Sequence, residues 1–174
     1  QIFVATITGT LSGSYNAALL AAEEYKETHP EARIFVLDSL SAGPELRLLA
    51  ERLRDLVRIG MEFDEICEAI VAYHKHTHLL FRLECAGQSG PQWPCEACCC
   101  RCGTDAGHPG HWSGQWRAAE LEVLCKTRGE HGALERMVLE MKAHGLTNGR
   151  VHIDHCCNAA AAERLKHMSM PCSR

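Results

Sequence analysis

The chain has 174 residues, 46% of them hydrophobic and 23% charged, with 18 Lys and Arg against 22 Asp and Glu, a net charge of −4 and a pI near 6.3. That is ordinary globular composition, and a mildly acidic balance without a basic block argues against a phosphate-dominated nucleic-acid partner. No apolar run approaches the roughly 20 residues of a transmembrane helix, and no signal peptide is legible. Stable membrane insertion and a disulfide framework are therefore not expected, and a cytoplasmic protein is.

The chain opens on a short β-branched apolar run, Ile2 to Ile7. It gives way to Thr8-Gly9-Thr10-Leu11-Ser12-Gly13-Ser14-Tyr15 and then to an alanine-rich helical pattern from Asn16 onward. Strand, loop and helix in this order gather backbone N–H groups, hydroxyls and the positive end of a helix dipole at one place. Such a place suits an anionic oxygen group, phosphate or carboxylate. The loop matches neither G-x-x-x-x-G-K-[ST] nor G-x-G-x-x-G, which disfavours a nucleotide. The same residues also read as helix caps, with Gly9 and Gly13 permitting tight backbone.

Asn16 to Thr28 predicts an amphipathic helix with positions 18, 19, 22 and 25 turned to the core, ended near His29-Pro30. Arg33 to Asp38 is a buried strand, and Asp38-Ser39 at its end is either ligand-facing or a capping turn. Apolar residues at 46, 49, 53, 56 and 57, then at 63, 66, 70 and 73, predict two helices over Pro44–Ile59 and Phe63–Tyr73, separated at Gly60. The alternation calls for an α/β fold with a parallel sheet. His74, His76 and His78 would share a face if extended, but at a helix C-terminus they read as a solvated run. Leu79 to Leu83 is the next strand.

Residues 85–117 break the pattern. They carry Cys85, Cys95, Cys98, Cys99, Cys100 and Cys102, six of the eleven cysteines, together with all three tryptophans, His108 and His111. A zinc site drawn from Cys95, Cys98, Cys102 and His108 would make Cys95 to His111 a metal-binding interaction module, since thiolates and imidazoles are the ligands Zn²⁺ prefers. Structural zinc sites, however, usually pair two short knuckles across a spacer. Beyond 117 the ordinary pattern returns. Leu121–Cys125 is a strand, Lys126–Gly129 a basic turn, and Glu130–His144 a helix with apolar positions 134, 137, 138 and 141. Val151–Asp154 is a last strand and Ala159–Met168 a last helix. Asp154-His155-Cys156 is not a nucleophile and base pair, because adjacent strand residues face opposite ways.

Five blocks carry a family resemblance: T-G-T-L-S-G-S-Y-N-A-A at 8–18, R-I-F-V-L-D-S-L-S-A-G at 33–43, T-H-L-L-F-R-L-E at 77–84, C-K-T-R-G-E-H-G-A-L-E at 125–135 and G-R-V-H-I-D-H-C at 149–156. In order and spacing they resemble the DegV family of fatty-acid-binding proteins. The resemblance implies a partial parallel-sheet first domain at 1–76 and a truncated second α/β domain at 77–174. It implies a long-chain fatty acid bound with its carboxylate at the Thr8–Tyr15 loop, held by Ser12, Ser14 and Gly13 with Thr8 and Thr10, and its tail buried between the domains. It implies presentation of that lipid to a fatty-acid kinase, binding in place of catalysis, and no cofactor beyond the lipid itself. The T-S-Q-P-like motif that family members carry nearer the N-terminus is absent, so weak binding is expected. Each buried CH₂ of a tail contributes about 0.8 kcal/mol. A phosphoryl-transfer enzyme would need a Lys and paired carboxylates that the loop lacks.

The resemblance also bears on 85–117. Back-translated into degenerate codons and read one base further along, Gln92 to Cys100 becomes N-G-R-V, Lys or Arg, Leu and a run of Ala or Val, as the family has there. Displaced alanine codons yield the cysteines. Two compensating shifts near 85 and 117 account for the composition without a metal. If the residues stand as given, the segment is expected to be a poorly packed loop with reactive thiols. Sequencing the coding DNA is expected to show a neighbouring open frame reading L-A-N-L-A-R-N-G-R-V onward. Codons that do not support that frame would make the segment genuine, with metal analysis the next measurement.

Overall fold

The structure, a computed structural model, describes residues 1–85, 110–117 and 120–170. Contacts divide the chain into two compact units, the first containing Gln1–Leu79 and rejoined by Arg150–Asp154, the second containing Leu121–Gly149 and the chain from His155. No helix among the described residues is long and apolar enough to cross a membrane.

The first unit is built on two strands, β1 (Ile2–Thr6) and β2 (Ile34–Asp38), which run parallel and pair from Ile2 beside Ile34 to Thr6 beside Asp38. Parallel neighbours need a crossover. Helix α1 (Ser14–Thr28) provides it. Helix α2 (Pro44–Arg58) starts on a proline, whose fixed φ suits the first helical position. It stops where Gly60 N–H reaches Val57 O at 3.1 Å and Met61 N–H reaches Leu56 O at 3.4 Å, with Gly60 at φ +76°. That pair of bonds needs a left-handed residue, which glycine supplies without a Cβ clash. Helix α3 (Phe63–His74) follows, its first turn tied by Glu62 N–H to the Glu65 carboxylate at 3.3 Å.

The spacing of apolar residues places the core. Leu49, Leu53 and Leu56 of α2 meet Ile66 and Ile70 of α3 and Leu37 of β2, with Phe3, Phe35 and Tyr73 packed around them. Burying each of the six contributes about 1.5–3 kcal/mol. Phe3 also stacks on Phe63 at 4.8 Å between centroids. Two expectations of inward-facing residues are corrected. On α1 only Ala22 is buried, and Tyr25 is 46% exposed and stacked on His29 at 4.1 Å. An alanine-rich face has little apolar area to draw the helix inward, and the ring finds its partner one turn on. Val57 is also exposed, lining an open groove of about 740 Å³ with Phe3, Ala5, Leu46, Ala50, Leu53 and three arginines. The apolar stripe of α2 is wider than the two described strands can cover.

The strand predicted at Val151–Asp154 is not formed. What holds this stretch is electrostatic: Arg150 reaches Asp55 at 3.0 Å and Glu51 at 3.6 Å, and His152 Nε2 lies 3.0 Å from Glu51 Oε2. Side-chain ion pairs to α2 take the place of a backbone ladder.

In the second unit β3 (Leu79–Cys85), β4 (Gly110–Arg117) and β5 (Glu120–Arg128) form a sheet in the order β3-β4-β5. This corrects the expectation of a loop at its C-terminal end. Gly110–Arg117 is the central strand, and Ser113 and Gln115, two apart and so on one face, are buried. The predicted zinc ligands Cys95, Cys98, Cys102 and His108 lie outside the described residues. The turn predicted at Lys126 is strand to Arg128, because pairing in the sheet carries it on. Helices α4 (Glu130–Ala143) and α5 (Ala159–Ser169) pack through Leu134, Met137, Val138, Ala161 and Leu165, and α5 is capped by Asn158 Oδ1 accepting Ala161 N–H at 3.1 Å. Glu130 ties them: it pairs with Arg82 at 3.4 Å, accepts Asn158 Nδ2 at 3.4 Å and bonds Arg164. Partial burial pushes its carboxyl up, but Asn158 and Arg164 outweigh this and hold it below its ordinary value.

Glu51 and Asp55 sit below their ordinary values as well, Glu51 chiefly through the hydrogen bond from His152 and Asp55 chiefly through that from Arg54. A carboxylate depressed in the folded state contributes stability that is present above its unfolded pKa and lost as pH falls through the folded one. Thermal unfolding followed by circular dichroism should therefore lose stability below about pH 4. Glu51→Gln should flatten that acid limb. An identical limb in the variant would show that the Arg150–His152 stretch does not depend on the pair.

Candidate functional site

Parallel register brings the loops that follow β1 and β2 to one end of the strand pair, where α/β proteins place ligands. The loops are knitted by their own backbone: Ser39 N–H donates to Thr6 O at 3.2 Å and Thr8 N–H to Ser41 O at 2.9 Å. Gly9 N–H donates across to the Asp38 carboxylate, 3.3 Å from Oδ1 and 3.2 Å from Oδ2, and Leu40 N–H donates to the same Oδ1 at 3.0 Å. Asp38 is thus both a capping turn on its own loop and a tie to the other. Sequence reasoning named the residue and left both roles open. Only the register shows that it reaches Gly9.

The five residues predicted to hold an anion divide by place. Thr8 is fully buried, its Oγ1 3.1 Å from Thr10 Oγ1, and its carbonyl accepts Leu11 and Ser12 N–H at 3.1 and 3.2 Å. Thr10 is exposed. Ser12 is half-buried and its Oγ accepts Ser14 N–H at 3.2 Å, while Gly13 and Ser14 stand exposed at the start of α1. The structure therefore brings Ser12, Gly13 and Ser14 together at the helix end and sets Thr8 beneath them.

The helix end is short of caps. No side chain caps α1 at Gly13, and its first turn has no acidic residue. The opening N–H groups of a helix have no partner within it and carry about half a positive charge. Hydroxyls at Ser12 and Ser14 add donors, and the loop from Thr8 to Tyr15 contains no Lys, Arg or His. Such a site can hold an oxyanion by hydrogen bonds and dipole.

Beneath the loops lies a polar floor. Ser39 and Ser41 are buried, and Ser39 Oγ is 3.2 Å from both the N and the O of Ser41. His74 Nε2 sits 2.7 Å from Ser39 O, so this histidine holds the loop while His76 and His78 are exposed. The sequence treats all three alike as solvated; His74 departs because the end of α3 comes within hydrogen-bonding reach of the loop after β2. The Thr77 hydroxyl bonds the buried Glu45 carboxylate, and its oxygen lies 2.9 Å from His74 O. Among the described residues no three His, Cys, Asp or Glu side chains gather as they would around a metal ion.

The family model described as "Uncharacterised protein, DegV family" matches residues 1–85. A DegV domain-containing protein of Streptococcus pneumoniae is 57% identical over 83 residues, 48% of this chain and 30% of that protein. Among solved structures, the chain is similar to the Streptococcus pneumoniae fatty acid kinase (Fak) B3 protein loaded with linoleic acid, with 35% identity and a TM-score of 0.82 over 95% of this chain and 59% of that one. It is similar also to a DegV family protein from Eubacterium eligens loaded with heptadecanoic acid, with 31% identity and a TM-score of 0.81 over 96% of this chain and 60% of that one. The chain spans between 30% and 60% of the length of these relatives.

The polar floor can be tested by itself. Thr77→Val removes the hydroxyl and leaves the buried Glu45 carboxylate short of a donor, at a cost of about 1–3 kcal/mol. Urea unfolding of the two proteins measures it, and equal midpoints would show that Glu45 draws nothing from Thr77.

Proposed function

We propose, from the premise that this chain is a DegV family protein, that it holds a long-chain fatty acid by its carboxylate at the start of α1 and presents it to a fatty-acid kinase. Support comes first from the helix end itself. Ser12, Gly13 and Ser14 open a 15-residue helix that has no side-chain cap and no acid in its first turn, so a carboxylate is its complementary group. Ser12 and Ser14 offer hydroxyls, Gly13 lets the ligand approach the backbone, and Thr8 and Thr10 shape the loop from below and beside. Fatty acids in two solved relatives, over nearly the whole of this chain, give that anion a chemical identity.

The two ligands named for those relatives differ in unsaturation, which suits a site that reads the carboxylate and lets the tail partition by apolar burial. In this reading the protein is a carrier that acts in the cytoplasm, without a catalytic step of its own and without a cofactor beyond the lipid. Residues 1–76 belong to the first family domain and 77–174 to the second. The kinase supplies the phosphorylation, and the carrier supplies a soluble, oriented carboxylate.

Ser12→Ala removes one hydroxyl from the helix start. Titration of the intact chain with linoleate should show affinity weakened about three- to tenfold, the loss of one hydrogen bond to a charged group. Unchanged affinity would count against the loop as the carboxylate site.

A further inference from the structure

Gly9 is confined on two sides. A Cβ built at this position would lie 3.1 Å from Asp38 Oδ2 and 3.5 Å from Tyr15 Cδ1. Tyr15 belongs to the first turn of α1. Gly9 is therefore a spacer between the end of β2 and the start of the ligand-facing helix, and a side chain here would press on the Asp38 carboxylate. On one side it meets a carboxylate that also accepts its N–H, a bond across 29 residues of sequence.

A carboxylate beside a site for another carboxylate is electrostatically unfavourable unless its oxygens are occupied. They are occupied here: Gly9 N–H bonds both, and Leu40 N–H bonds Oδ1. The same contacts draw Leu40 to φ +49°, a conformation that leucine rarely adopts. The β1 loop and the β2 loop meet at this one side chain, and the head of α1 lies on the other side of Gly9.

We infer that Asp38 is the positioning residue of the carboxylate loop: through Gly9 it sets where the loop runs against α1, and by taking the Gly9 N–H it directs the ligand to the amides and hydroxyls of residues 12–14. The inference rests on the reading of that loop as the fatty-acid carboxylate site. Asp38 does not touch the ligand; it acts through Gly9. Backbone geometry at the helix start is what it controls.

The test uses the full chain, linoleate as the probe, and amide hydrogen exchange. Asp38→Asn keeps the shape and loses the charge and one acceptor; linoleate affinity should fall about tenfold while exchange at Gly9 and Leu40 quickens. Gly9→Ala should also weaken binding, but less in an Asp38→Ala background, because the colliding Oδ2 is gone. A merely structural role would shift the melting temperature and leave the two substitutions additive. If Ser12→Ala weakens linoleate binding while Asp38→Asn changes neither affinity nor exchange at Gly9, this inference falls and the lipid reading stands. If the unsubstituted chain takes up no linoleate, the lipid reading falls and the positioning role falls with it. Additive costs for Gly9 and Asp38 would likewise overturn the inference.

Discussion

The parallel pairing of β1 with β2 is the constraint on which the first unit depends. Because Thr6 lies beside Asp38, the two strands finish level, and the loops that leave them start within hydrogen-bonding reach. A one-residue slip would exchange the faces of β2, sending Phe35 and Leu37 away from α2 and α3. It would also part Asp38 from Gly9. Core and site thus share one register, and the apolar pattern that secures the core secures the loop geometry too.

Most of the polar groups near the site are partnered, although the Ser41 hydroxyl is buried without a hydrogen bond. Ser39 bonds Ser41 twice, His74 meets the Ser39 carbonyl, and Thr77 meets Glu45. This floor is stiff because leaving any of these groups without a partner would cost more than the bond itself contributes. The same rule governs the carboxylates of this acidic chain elsewhere. Glu51, Asp55 and Glu130 each sit among cationic partners, and hydrogen bonds from His152, Arg54 and Asn158 help depress each below its ordinary value. Asp38 accepts the backbone N–H groups of Gly9 and Leu40. The anion-favouring end of α1 therefore has its nearest acid already engaged.

A carrier needs its ligand held firmly and released on demand, and the geometry bears on both. Hydrogen-bond donors and a helix dipole attract a carboxylate without the strong Coulomb attraction of a paired arginine. In the proposed reading the apolar tail supplies the bulk of the affinity and the helix end sets the orientation. Residues 13 and 14 are exposed, so a carboxylate held there, as proposed, would lie within reach of a second protein.

Local sequence alone determined the kind and order of most elements. Period-3.6 stripes marked α2 and α3, β-branched runs marked β1 and β2, Gly60 marked the break between helices, and the hydroxyl-rich loop was visible as an anion-suited turn. These signals act over one or two turns of chain, so they can be read before anything is folded. Tertiary structure decided the rest. Whether the apolar side of α1 is covered, whether Arg150 and His152 pair with α2 across as many as 101 residues, and whether Gly110–Arg117 finds strands on both sides depend on partners remote in sequence. So does part of the site: Thr8 on Ser41, His74 under Ser39 and Asp38 on Gly9 are set by contacts between segments about 30 residues apart or more. Residue types and periodicity prescribe what a segment can bury or bond; only the register of the paired strands decides which remote group it meets.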